Sequence, residues 1–204
     1  MSDTTSILTQ VNPTPEGVLA DSSTFSPRRW KSGWPHHLSH VPPFRDDPTA
    51  TITRGEVFAF AADAVESGLE RNALIDFIGA AFAYAAGQSP QTQLSLQQFL
   101  RNKARASELF RALRTLEGKD PAAQYDTVHA TGLPARFASA LVYFLAGPQT
   151  GEDTKPQLLS DTAARSLGVS AEDYPGYLDA LTAARDAWDP AAPVDCVELA
   201  LTRG

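Results

Sequence analysis

From residue 53 onward, apolar positions recur three and four apart almost without a break, the spacing of one helix face. Thr53 followed three residues later by Glu56 predicts a capped helix start. Val57, Phe58, Phe60, Ala61, Ala64 and Val65 then form an apolar face that stops at Gly68. Residues 74–86 are apolar nearly all round, which predicts a central, buried helix closed by Gly87 and Pro90. Helices follow over 95–102 and 104–116, the second with Leu109, Phe110, Leu113 and Leu116 on one side. A proline opens the next, 121–129, and a tight turn at Gly132 leads into 135–146. The last three are 160–167, ending at Gly168, then 170–188 with Ser170 as its cap, and 194–201. No useful period-two alternation occurs, so the expected class is all-α, a two-lobed helical domain over 53–204 with a helical hairpin at 121–146.

The first fifty residues read differently. They hold 7 of the 15 prolines, many Ser and Thr, and little periodicity. Residues 1–24 are expected as a disordered tail. Residues 25–52 contain Phe25, Trp30, Trp34 and Phe44, too much aromatic surface for a free segment. They are expected as a largely irregular arm packed over the helical body.

Composition adds little that is unusual. Hydrophobic content of 43% is enough for a core. The lone Cys196 precludes an internal disulfide and suits a small buried side chain better than a nucleophile. The start of the chain lacks a secretory pattern, and the apolar stretch 73–87 is too short to span a bilayer and carries Asp76. A cytoplasmic protein without membrane contact is the expectation. The net charge of −7 opposes strong nonspecific binding to nucleic acid, but its distribution is uneven. Residues 95–124 hold six basic against three acidic side chains. Arg101 and Arg105 in this block are candidates for a phosphate-facing stripe, the alternative being a solvated helix face.

Candidate chemistry is sparse. His36, His37 and His40 cluster, but the flanking prolines oppose a helix that would align them on a metal, and no metal or other cofactor is expected. No glycine-rich phosphate loop, zinc-protease helix or nucleophile elbow occurs. The turn Gly132-Leu133-Pro134-Ala135-Arg136 is more informative. It aims main-chain N–H groups outward at a helix start, where a DNA phosphate can sit. The same turn also fits a plain helical hairpin.

Six stretches, in order, resemble bacterial proteins of the 8-oxoguanine DNA glycosylase fold, in the helix–hairpin–helix superfamily. They are RRWKSGWP (28–35), ITRGEVFAFAADA (52–64), IGAAFAYAAG (78–87), GLPARFASALVYFLAG (132–147), KPQLLSDTAARSLG (155–168) and VDCVELALTRG (194–204). The resemblance implies base excision from double-stranded DNA, with the hairpin on the phosphate backbone and a flipped base in a pocket. Bifunctional members use a hairpin-helix lysine as nucleophile and a downstream aspartate to stabilise positive charge. Here the lysine position falls on Ala140 or Arg136, and the aspartate position on Ser160, with Asp161 adjacent. The resemblance therefore implies a monofunctional enzyme acting through Asp161. Its alternatives are a DNA-binding protein without catalysis and a protein-interaction module that keeps only the fold.

Overall fold

The computed structural model describes residues 2–151 and 154–203, without the side chains of residues 2 and 3. Met1 and Gly204, the ends of the expected tail and helical domain, lie outside the described residues. Among the described residues the chain forms twelve α-helices and one two-stranded sheet. The all-α expectation holds.

The helical body is built around α5 (Arg71–Ala86), whose residues from Leu74 to Ala86 are buried apart from the half-buried Asp76. α4 (Arg54–Glu66) packs along it, and its start is the expected capping box: Thr53 accepts from the Glu56 N–H, while Glu56 returns to the Thr53 N–H. Such a cap contributes about 1 kcal/mol. α6 (Pro90–Arg101) starts earlier than expected, at a proline behind the Ser89 cap. α7 (Lys103–Leu113) and α8 (Pro121–His129) follow, and α9 (Ala135–Leu145) returns against α4, α5 and α8. A second group comprises α10 (Asp161–Leu167), α11 (Tyr174–Trp188) and α12 (Val194–Arg203), which pack on one another. α11 begins at Asp173, not Ser170, because the Asp173 carboxylate caps the Gly176 N–H and Pro175 fills the first turn.

The N-terminal expectations need correction. Residues 2–20, read as part of a disordered tail, form α1 (Ser2–Val11) and α2 (Pro15–Ala20). Leu8 is fully buried where α1 lies against α11 and α12, and Val18 is buried where α2 meets α4 and α12. Neither helix is long enough to be stable alone; both rest on tertiary burial that composition does not report. The missed strands are β1 (Ser22–Phe25) and β2 (Ala50–Thr53), antiparallel, with Ser22 opposite Thr53. Four residues each are too few for alternation to register.

The arm between them packs on the body and includes α3 (Pro27–Gly33) and a 3-10 turn at His36–Leu38. Trp30, Trp34 and Leu38 are buried, and Phe25 meets Phe44 edge-on at 5.0 Å. The arm closes on α5 at two points. His40 pairs with Asp76 at 2.7 Å, and the Pro42 ring occupies the space beside Gly79, where a Cβ would stand 2.3 Å from Pro42 Cγ. Only glycine allows that approach.

Candidate functional site

The start of α9 in the helical hairpin and the segment 158–165 both line a cleft of about 650 Å³. On the hairpin side, Gly132 adopts φ +84°, a left-handed conformation that turns α8 into α9. Leu133 is buried and plugs the turn, while its carbonyl lies 3.2 Å from His129 Nδ1. The His129 ring stacks on Tyr125, which stacks in turn on Tyr174 at 4.0 Å. Pro134 precedes α9 and provides no side-chain cap. Phe137 and Ala138 donate back to the Pro134 carbonyl. The N–H groups of Leu133, Ala135 and Arg136 meet no acceptor among the described residues, as expected of a helix start. Ala135 and the exposed Arg136 line the cleft.

In the 158–165 segment, Ser160 caps α10 by accepting from the Ala163 N–H at 3.3 Å, and Asp161 is the first helical residue, exposed and lining the cleft. This placement depends on three hydroxyls. Ser139 of α9 accepts from the Leu159 N–H at 2.9 Å and donates to the Arg136 carbonyl, locking the segment to the hairpin helix. Tyr174 donates to the Gln157 carbonyl and Tyr177 to that of Leu158. Arg165 folds back on α10, donating to the Asp161 carbonyl and to Thr162.

The cleft floor is a buried charge cluster. In the β1–β2 register Ser22 stands opposite Thr53, so the next pair outward is Asp21 with Arg54. Arg54, 2% exposed, donates through Nε to Asp21 at 3.1 Å and to the Tyr84 hydroxyl at 2.7 Å. Its Nη1 lies 2.8 Å from Glu198 of α12 and 3.4 Å from the Tyr143 hydroxyl. Tyr84 donates to Asp21, and Tyr143 to Asp195. Arg203 reaches the other Asp21 oxygen at 2.9 Å, and Thr202 donates to Glu198 Oε1. Burial opposes the Arg54 charge, but Glu198, Tyr143 and Tyr84 more than offset it, so its pKa rises. Burial also raises Tyr84 and Tyr143 despite the neighbouring guanidinium, which keeps both as hydroxyl donors.

The expected site residues are thus partly gathered. Gly132, Leu133, Pro134, Ala135 and Arg136 form the hairpin turn and Asp161 faces the same cleft. Arg105 comes close, its guanidinium carbon 4.0 Å from where a Gly132 Cβ would stand. Arg101 instead donates to the Gly33 carbonyl in the arm. Ala140 is fully buried in the core and does not line the cleft; Arg136, one turn earlier on the same face of α9, does. No lysine lines the cleft among the described residues. Cys196 is buried and its thiol is pushed up to about 12 by burial and then by Asp195, as suits a core residue. No helix among the described residues is long and apolar enough to cross a membrane. Sequence reading missed Asp21, Arg54, Tyr84, Ser139, Tyr143 and Glu198; an arginine just inside an apolar helix start was the one visible hint.

A helical fold with its cleft between a hairpin and a capped helix fits the DNA glycosylase-like class that the sequence resembles. Comparison with known families carries the assignment further. Residues 16–201 match the family described as "Putative 8-oxoguanine DNA glycosylase OGG-like protein", and the chain belongs to that family. No curated protein and no solved structure matches it.

Proposed function

We propose that this chain is a monofunctional DNA glycosylase of the base-excision type, with Asp161 as its acidic group. The supporting observation is that Asp161 and Arg136 line one cleft, with no lysine among its lining residues. In this reading the N–H groups of Leu133, Ala135 and Arg136 hold a backbone phosphate, with the Arg136 and Arg105 side chains beside it. Phosphate attraction is local: Arg136, Arg165 and Arg203 line the cleft of a chain whose net charge is −7. A base rotates out of the duplex into the cleft, which brings its sugar to the mouth beside Asp161. The carboxylate offsets positive charge developing on the sugar and takes a proton from the water that attacks C1′. A guanidinium forms no imine with the sugar, so Arg136 provides no covalent route to strand cleavage.

The test is a set of duplexes, each with one damaged base, among them 8-oxoguanine, uracil and hypoxanthine. The wild type should release at least one base and leave an abasic site that breaks only on alkali treatment. Release from none of them overturns the reading, and a borohydride-trapped adduct overturns its monofunctional part. The Ser160 cap, where the family resemblance implies aspartate, favours a second reading: a duplex-binding protein that has lost base release. Salt-sensitive binding without any release would identify it.

Duplex binding itself is tested by Arg136→Glu. Affinity should fall for every duplex alike. The slope of log K against log salt should become shallower by about one, the loss of one phosphate contact. Arg105→Glu should act in the same direction. Unchanged affinity in both variants would remove the hairpin from the DNA interface.

A further inference from the structure

The cleft floor has one polar group left to give. Both Asp21 oxygens are engaged, one by Arg203 and the other by Arg54 and Tyr84. Glu198 Oε1 accepts from Thr202, and Oε2 is closed off from solvent against Arg54. The Tyr84 hydroxyl accepts from Arg54 and donates to Asp21. Arg54 uses Nε and Nη1 on these partners. Its Nη2 has none among the described residues, and it is not among the atoms enclosed without a partner, although the side chain is 2% exposed. Arg54 lines the cleft. The floor therefore offers N–H donors on a charged group, while its one carboxylate oxygen without a hydrogen-bond partner, Glu198 Oε2, is enclosed and ion-paired with Arg54.

We propose that Arg54 Nη2 is a catalytic donor that binds a keto oxygen on the inward edge of the extruded base. It thereby selects keto bases over bases that present an amino group. The inference rests on the glycosylase reading and names its substrate class. When the C1′–N bond breaks, its electron pair stays with the base. The water oxygen bonds to C1′, one water proton passes to Asp161, and the base anion takes its proton from solvent. Arg54 contributes a charge-assisted hydrogen bond to that anion and transfers no proton. The bond strengthens as negative charge accumulates on the base, so it acts on the transition state more than on the bound substrate. An amino edge, as in adenine, would place a donor against a donor and find no free floor carboxylate to accept from it.

The test uses the full chain and duplexes carrying one 2′-fluoro deoxynucleotide, which resists cleavage, with hypoxanthine or adenine as its base. The wild type should bind the hypoxanthine duplex roughly tenfold more tightly, the usual scale of a hydrogen bond to a charged group. In Arg54→Gln that ratio should fall close to one, while Arg114→Ala, which touches only the Leu69 carbonyl far from the cleft, keeps it. If Arg54→Gln does not fold, Tyr84→Phe removes only the hydroxyl that holds Nε, and the ratio should fall about threefold. A folded Arg54→Gln, or failing that Tyr84→Phe, with the full ratio overturns the proposal. Base release by the wild type is scored separately. Release with a ratio near one removes the Arg54 role alone. A tenfold ratio without release on any substrate removes the catalytic reading and leaves the base site standing.

Discussion

Asp161→Asn is expected to lower base release by about 100-fold or more, the range for loss of a positioned acid–base group. The substitution keeps size and shape. An exposed amide at the first position of α10 disturbs neither the Ser160 cap nor the hydroxyls of Ser139, Tyr174 and Tyr177 that hold the segment. It can neither take a proton from water nor offset positive charge on the sugar. Duplex affinity should hold or rise slightly, because a negative charge leaves the cleft that the proposed function sets against DNA. Single-turnover release and a binding titration separate the two effects. Moving the carboxylate by one residue sharpens the result. Aspartate caps a helix about as well as serine, so Ser160→Asp in the Asp161→Asn background should fold and recover part of the rate. Release unchanged by Asp161→Asn would place the chemistry elsewhere in the cleft.

Glu198→Ala is expected to cost about 3–5 kcal/mol of stability, the penalty for leaving one member of a buried ion pair uncompensated. Arg54 would keep Asp21, but Asp21 is already shared with Arg203, and Thr202 would lose its acceptor. Against a total of roughly 5–15 kcal/mol this is a large fraction. For a chain of this length it lowers Tm by on the order of 10 °C. Glu198→Gln retains volume and hydrogen bonding and should fall between the two. Thermal and urea unfolding measure both. A loss below about 1 kcal/mol in Glu198→Ala would show that Asp21 alone neutralises Arg54. The cluster matters because it joins β1, α4, α5, α9 and α12, and so holds together the two helical groups that flank the cleft.

Much of the body is legible from the order of residues because its signals are local. Thr53 and Glu56 satisfy each other within one turn, Asp120 caps the helix that Pro121 opens, and Gly132 supplies the conformation that reverses the chain. The apolar stretch around Phe77 and Phe82 announces a central helix because no polar face remains for water. The candidate site is less legible. The hairpin turn and Asp161 could be named from the resemblance. The choice between Ala140 and Arg136 could not, because the two share a face of α9 one turn apart and only packing shows how far along that face the cleft reaches.

Sequence alone determined the helical class, most helix boundaries and the turn at Gly132, since each rests on contacts within a few residues. Tertiary structure decided what composition concealed. Two short helices replace an expected tail because Leu8 and Val18 find the body. Two four-residue strands set Asp21 beside Arg54, 33 positions apart. Tyr84, Tyr143 and Glu198 then meet the same guanidinium from three further helices, and Asp195 accepts from Tyr143 behind it. None of these side chains carries a local mark of its partner. Their charges and hydroxyls are buried only because the assembled fold satisfies them together, and that condition exists only once the distant segments are packed.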